Sequence, residues 1–474
     1  MNDEIAYLEL HQVAELIRAR QLSSVEVTSA LLDRIDALDG GLQSYATVMR
    51  EQALLAASQA DEDLSRGRYH GELHGVPLAL KDLCYTVDAP TSGGMTIHQD
   101  FQPDFDATVV SRFRAAGAVL IGKLRMTEGA FTEHHPDLPV PVNPWDDATW
   151  SGVSSSGSGV ATAAGLCFGS IGSDTGGSIR LPSSMNGVTG LKPTWGRVSR
   201  HGTFELAASL DHLGPMARSA RDCAAMLQVM AGADVNDPTA SLEPVPNYDP
   251  TRPLPAPPRI GVDWTAMAMF DAETRQMLVE VVNTIEKLGW PVVEVRLPDL
   301  RSISDSFGTL LAVETAVAHA ATYPSRASEY GATMQENIEL GRRTSAVDYQ
   351  HLVKKRLEFT GRFAHVMQSI DILLMPGVGF ASPTIDKLSA LGEDPDLFAA
   401  LLMPTAPFDL TGSPSLTMPA GMTSRGTPLG VQFIGDHFTE DLLLQAAHIY
   451  QQATGHHQLH PQQLTHRASE GALA

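Results

Sequence analysis

Residues 150–193 read WSGVSSSGSGVATAAGLCFGSIGSDTGGSIRLPSSMNGVTGLKP. Two clusters stand out in this stretch. The first is Gly152-Val153-Ser154-Ser155-Ser156-Gly157-Ser158-Gly159, and the second is Gly172-Ser173-Asp174-Thr175-Gly176-Gly177-Ser178-Ile179-Arg180. Residues 160–171 between them are small and apolar, enough for a short helix and a short strand. A flexible linker would not carry that ordered apolar run between its glycines. A phosphate cradle would end in Gly-Lys-Ser/Thr or keep the dinucleotide spacing, and neither is present. The remaining reading is a nucleophile loop. Glycines let successive N–H groups turn toward one point, as an oxyanion hole requires, and Ser178 sits at the end of such a turn.

A serine hydroxyl needs a base at neutral pH. No histidine lies inside the stretch. Upstream, Gly75-Val76-Pro77-Leu78-Ala79-Leu80-Lys81-Asp82 ends an apolar, strand-like run on Lys81. Burial there favours the neutral amine, which accepts a proton. The residues alone leave open a second reading, a lysine that merely leaves a strand into solvent.

The chain resembles the amidase signature family of serine hydrolases. The matching segments are GVPLALKD at 75–82, the serines at 154–158, GSDTGGSIRLP at 172–182 and GLKPTWGRVS at 190–199. SLDHLGPMAR at 209–218, FDLTGSPSLTMPAG at 408–421 and GVQFIG at 430–435 complete the set, in the family's order. The resemblance implies a triad: Ser178 as nucleophile, Ser154 as a bridging serine behind a cis peptide bond, and Lys81 as base. It also implies an oxyanion hole from the N–H groups of Thr175, Gly176, Gly177 and Ser178. Ser155, Asp174 and Arg180 are expected to support the loop, with Asp174 and Arg180 as a structural ion pair. Gly129, Ala130 and Phe131 fall where the family lines its acyl pocket. Arg125 departs from the pattern, since asparagine is common there.

Composition sets the outer bounds. At 474 residues the length allows about three domains or one large α/β domain. A hydrophobic fraction of 43% supplies a sizeable core. The formal charge of −22 argues against a general binder of nucleic acid or anionic membrane. Cys84, Cys167 and Cys223 show no metal spacing, and their low, odd number suits a reducing cytoplasm. The acidic start, Met1 to Glu4, does not lead into an apolar run, so no signal peptide is expected. No run of 18 apolar residues suggests a membrane span. No metal or cofactor is implied. The implied partners are a small amide or carbamate substrate and, as in many relatives, a second copy of the chain.

The expected fold is α/β: one large domain with a central mixed sheet covered by helices on both faces. A helical layer should occupy 1–70, with helices at 8–20, from the Ser23/Glu26 capping box to Gly40-Gly41, and at 51–66. The core with the catalytic loop should span 71–233, where strand and helix alternate. A proline-rich connector follows at 234–258. Residues 259–457 should form the second part of the same fold, helical over 303–370 around the substrate entrance. A frayed tail is expected at 458–474.

Several residues invite readings that the spacing does not favour. Adjacent His134 and His135 rarely ligate one ion. His70 and His74 precede a turn and are expected at the surface. Asp211-His212 are adjacent, which does not suit a triad, and the resemblance places them in a structural turn.

The expected activity is hydrolysis of C–N bonds in linear, neutral or aryl amides, including aryl acylamides, with carbamates and esters open to the same acyl-enzyme chemistry. One alternative is the glutaminase component of a transfer-RNA amidotransferase. That component usually has Gln where Leu181 stands and a Tyr-containing stretch where Pro404 to Phe408 stand. A third reading, a non-catalytic scaffold, conflicts with a filled triad.

Overall fold

The computed structural model describes residues 5–381, 383–389, 391–462 and 464. Eleven strands form one sheet among these residues. In chain order they are β1 (Tyr45–Val48), β2 (Pro77–Lys81), β3 (Val119–Leu124), β4 (Gly169–Asp174), β5 (Thr189–Lys192), β6 (His212–Ala217), β7 (Ile260–Val262), β8 (Val292–Glu294), β9 (Ile372–Pro376), β10 (Ser415–Met422) and β11 (Pro428–Ile434). Across the sheet the order is β1-β3-β2-β4-β6-β5-β10-β11-β9-β7-β8. The fold is a single α/β domain, its mixed sheet covered by helices on both faces.

β2, β3 and β4 are buried along their whole length, as parallel strands covered on both sides must be. β2 runs parallel to both β3 and β4, with Leu80 level with Ile171. Their C-terminal ends therefore share one edge, and Lys81 arrives beside Ser173. β6 is antiparallel to β4, with His212 opposite Asp174, so β6 begins at that same edge. The helix Ser156–Ala163 precedes β4 and brings the first serine cluster to it. Such strand-end edges are where open α/β sheets place their sites.

The proline-rich connector separates β1–β6 from β7–β11. The two groups join through β5 and β10, where Lys192 faces Ser415 and Gly190 faces Thr417.

Four local expectations change. The helix Ser24–Leu42 starts on its capping box but runs through both glycines. It stops at left-handed Gln43, because the Asp39 carboxylate accepts the N–H groups of Ser44 and Tyr45 and turns the chain there. The segment expected as a turn around Asp211 feeds directly into β6. Within β6, Pro215 stands opposite Ile171 of β4, just before Met216 and Ala217, the two positions that pair with β5. His74 is buried, not at the surface; its Nε2 lies 2.9 Å from the Ala60 carbonyl and its ring stacks on His70. The tail is packed rather than frayed at Leu464, which is buried. The rest of the expected tail, from 465, and Met1 to Glu4 lie outside the described residues. No helix among the described residues is long and apolar enough to cross a membrane.

Candidate active site

Lys81 ends β2 with its side chain fully buried. Its Nζ lies 2.7 Å from Ser154 Oγ, 2.8 Å from Ser155 Oγ and 2.8 Å from Ser173 Oγ. Burial brings its pKa down to about 7, and the charge of Asp174 limits the fall. The three hydroxyls are not equivalent. Ser155 Oγ donates to the Ser173 carbonyl and accepts from the Ser173 N–H as well as from Lys81. Its one proton is already committed, so it can only hold the amine. Ser154 and Ser173 keep theirs for a neutral Lys81. The peptide bond between Val153 and Ser154 is cis.

The loop carrying Ser178 is built on Asp174 at the end of β4. Its carboxylate accepts from Gly177 N at 2.6 Å, Ile179 N at 3.0 Å and Arg180 N at 3.3 Å. It also takes two bonds of 2.9 Å from the Arg180 guanidinium. Burial would raise the Asp174 carboxyl, but Arg180 outweighs it and holds the group well below the usual range. One expectation is thereby revised. The Gly177 N–H points at Asp174 and is not free for an oxyanion. The N–H groups of Thr175, Gly176 and Ser178 meet no acceptor among the described residues. Ser178 is 9% exposed, and its carbonyl accepts from Ser155 N at 3.3 Å, which ties the two serine clusters together.

The glycine pair has a packing reason. A Cβ on Gly176 would stand 2.5 Å from the Phe307 ring. Gly177 has φ +133°, and its Cβ would stand 2.8 Å from Thr405 Oγ1. Thr405 Oγ1 donates to the Gly176 carbonyl at 2.7 Å, and Thr175 Oγ1 donates to Asp211 Oδ1 at 2.7 Å. The loop is clamped from both sides.

Asp211 and His212 do not form a triad with Ser178. The second carboxylate oxygen of Asp211 accepts from Leu206 N and Ala207 N. His212 lies 3.1 Å from the Asp174 carbonyl and 3.2 Å from Lys192 Nζ. Burial, reinforced by Lys192, pushes its pKa well below the usual value and keeps it neutral. Behind them, Arg180 also pairs with Asp409 and donates to the Thr405 carbonyl. Asp409 lies inside a matched segment, but nothing in the sequence pairs it with Arg180. Ser173 was missed as a partner of Lys81, although its place beside Asp174 at the end of a strand was a usable signal.

The pocket residues divide. Thr127 N donates to the Ser154 carbonyl, which brings the following segment to the serines. Ala130 lines a cavity of about 10 Å³ together with Ser173, Asp211 and Phe204. Phe131 lines a larger one of about 180 Å³ with Glu128, His134 and Met334. Gly129 abuts Met334 and His319 instead. His134 and His135 part company: His134 faces Ser156 Oγ at 3.2 Å and His135 faces Thr96 Oγ1 at 3.4 Å.

A family model described as Amidase matches residues 26–444. The chain is 60% identical over 459 residues to AmiD of Mycobacterium tuberculosis, covering 97% of each. It is 36% identical over 491 residues to the A-type component of the glutamyl-tRNA(Gln) amidotransferase of Moorella thermoacetica, covering 97% of this chain and 99% of the relative. Among solved structures it is similar to the peptide amidase of Stenotrophomonas maltophilia, with a TM-score of 0.81, 30% identity and coverage of 94% and 97%. It is also similar to 6-aminohexanoate cyclic dimer hydrolase, with a TM-score of 0.88, 27% identity and coverage of 97% and 99%.

Proposed function

The chain belongs to the amidase family and is a hydrolase of C–N bonds, and from that premise we propose that it cleaves neutral or aryl amides through an acyl-enzyme on Ser178, with carbamates and esters as further substrates. Neutral Lys81 accepts the proton of Ser154 as Ser154 takes that of Ser178. Ser178 Oγ then bonds to the carbonyl carbon. The oxygen that gains charge is met by the N–H groups of Thr175, Gly176 and Ser178. The proton returns through Ser154 to the leaving nitrogen as the C–N bond breaks. Water, deprotonated by the same relay, attacks the acyl group, releases the acid and restores Ser178. Ser155 fixes the amine, and Asp174 with Arg180 fixes the loop.

The observation that carries this reading is the buried Lys81 amine, held by three serine hydroxyls with its pKa near neutrality. A base must be neutral at the working pH and within hydrogen-bond reach of the proton it removes. The test is product release from an anilide, a fatty amide, an aryl carbamate, an aryl ester and free glutamine, each with the wild type and with Ser178→Ala. We expect release from the anilide or carbamate and its loss in Ser178→Ala, with the fold intact. Retained turnover in that variant moves the nucleophile elsewhere.

The identity to the amidotransferase component favours a second reading, glutaminase activity within a larger complex. Against it stands Leu181, an apolar side chain packed beside Gly177 at the position where that component usually carries Gln. Ammonia from glutamine alone, and only with a partner protein, would put that reading first.

A further inference from the structure

We infer that His212 is a positioning residue for the reaction: its imidazole, set in one tautomer by Lys192, holds the Asp174 carbonyl so that the Thr175 N–H on the far side of the same peptide faces the oxyanion. The inference rests on the acyl-enzyme reading above.

The tautomer follows from the partners. Lys192 ends β5 with its side chain sealed from solvent. Burial brings its pKa down to about 8, so the amine keeps its charge at neutral pH. An ammonium has three N–H groups and no acceptor. Those of Lys192 meet the Ser413 carbonyl at 2.6 Å, the Pro193 carbonyl at 3.3 Å and His212 Nε2 at 3.2 Å. Nε2 must therefore accept, and a neutral imidazole then carries its proton on Nδ1. Nδ1 lies 3.1 Å from the Asp174 carbonyl, which can only accept, with Asp409 Oδ1 at 3.6 Å. Both ring nitrogens assign the same form.

The consequence lies across one peptide. The bond between Asp174 and Thr175 is trans, so its C=O and N–H point opposite ways. The β4–β6 ladder ends on Asp174 and His212, and the imidazole adds a side-chain hold on the last carbonyl of β4. The Thr175 N–H is turned away from it and meets no acceptor among the described residues. Two neighbouring peptides follow the same rule. Thr405 Oγ1 holds the Gly176 carbonyl, and the opposite Gly177 N–H lands on Asp174. Leu181 N, at the start of the next helix, holds the Gly177 carbonyl at 2.7 Å, and the opposite Ser178 N–H is left free. Of the two free donors aimed in this way, that of Thr175 is the one set by a side chain. An imidazole donating to the Asp174 carbonyl also polarises that peptide, which strengthens the Thr175 N–H as a donor.

The experiment measures kcat and KM for the wild type, His212→Leu, His212→Asn and His212→Gln, on whichever of the anilide and the carbamate above turns over faster. The asparagine amide places an N–H donor where Nδ1 stands. The glutamine amide reaches the place of Nε2 and leaves the Asp174 carbonyl without a side-chain donor. A second readout is inhibition by an aryl trifluoromethyl ketone. Ser178 Oγ bonds to its carbonyl carbon, the electron pair moves to oxygen, and the proton passes through Ser154 to Lys81, so the adduct carries the oxyanion. Loss of a whole oxyanion donor costs about 10²–10³ in kcat, so a donor left in place but unheld should cost about 10–100-fold. That fall is expected in His212→Leu and His212→Gln, with KM within about threefold of the wild type and a matching loss of ketone affinity. His212→Asn should recover kcat to within about fivefold of the wild type. If the leucine variant does not fold, asparagine against glutamine decides the matter. Equal kcat in the asparagine variant and in the leucine or glutamine variant, a loss carried by KM, or an unchanged ketone affinity overturns the role of His212. Retained turnover in Ser178→Ala would instead overturn the acyl-enzyme reading itself, so the two failures are distinct.

Discussion

Lys81 and Lys123 lie on the neighbouring parallel strands β2 and β3, one step apart in register, and both are sealed from solvent. Only their partners differ. Lys123 Nζ sits 3.2 Å from Asp82 Oδ1 and donates to Thr91 Oγ1 at 2.7 Å. Lys81 meets three serine hydroxyls and, among the described residues, no carboxylate within ion-pair distance. Burial lowers the pKa of both, and at Lys123 the charge of Asp82 opposes the fall. Hydroxyls solvate an amine without demanding its charge, so Lys81 comes down to about 7. A carboxylate beside a buried lysine makes a structural cation; hydroxyls beside it make a base.

The comparison breaks most sharply on exchange to methionine. Lys81→Met should lower kcat/KM by about 10²–10⁴, the range a positioned base supplies, while the thermal transition is retained. Steady-state kinetics and a melting curve decide this, and a loss below tenfold would return Lys81 to the ranks of structural residues. Lys123→Met should do the reverse. It strands Asp82 and should cost about 3–5 kcal/mol in stability, with activity per folded molecule preserved; urea unfolding with active-site titration checks both halves.

The smallest effect concerns pH. Protonated Lys81 cannot accept a proton, so kcat/KM should fall as pH drops through about 7. Ser173→Ala removes one hydroxyl that stabilises the ammonium form, so this acid limb should move to lower pH by less than about one unit, with a modest loss in rate. A limb that moves upward or stays fixed would show that Ser173 does not solvate the base. The linkage to stability has the same origin. The unfolded lysine holds its proton up to about pH 10.4 and the folded one only to about 7. Between these values the unfolded state binds more protons, and this group makes the fold more stable as pH rises.

Much of this contrast is legible in the sequence. Lys81 can be singled out because it ends an apolar strand, and the 172–180 segment because its glycines turn N–H groups toward Ser178. What stays hidden depends on directions that spacing does not encode. The saturation of Ser155 follows from its facing two groups of Ser173 at once. The diversion of the Gly177 N–H follows from where the Asp174 carboxylate points. Pairing Arg180 with Asp409 requires the second group of strands to be laid beside the first. Asp211 reads as part of a turn only through the family resemblance, and spacing alone does not show that β6 begins at the very next residue, His212.

The clamp on the catalytic loop also has a place in time. Lys81, Ser154 and Ser178 all lie in the first half of the chain, yet the loop is held by Phe307, by Thr405 and by an arginine that reaches 225 and 229 residues ahead to Thr405 and Asp409. Synthesis runs from the N-terminus, so a growing chain carries every reactive group long before it carries the residues that fix the loop. The nascent protein is therefore chemically complete but mechanically unset until position 409 has cleared the ribosome. A hydrolase assembled in this order comes under control only when its making is nearly finished.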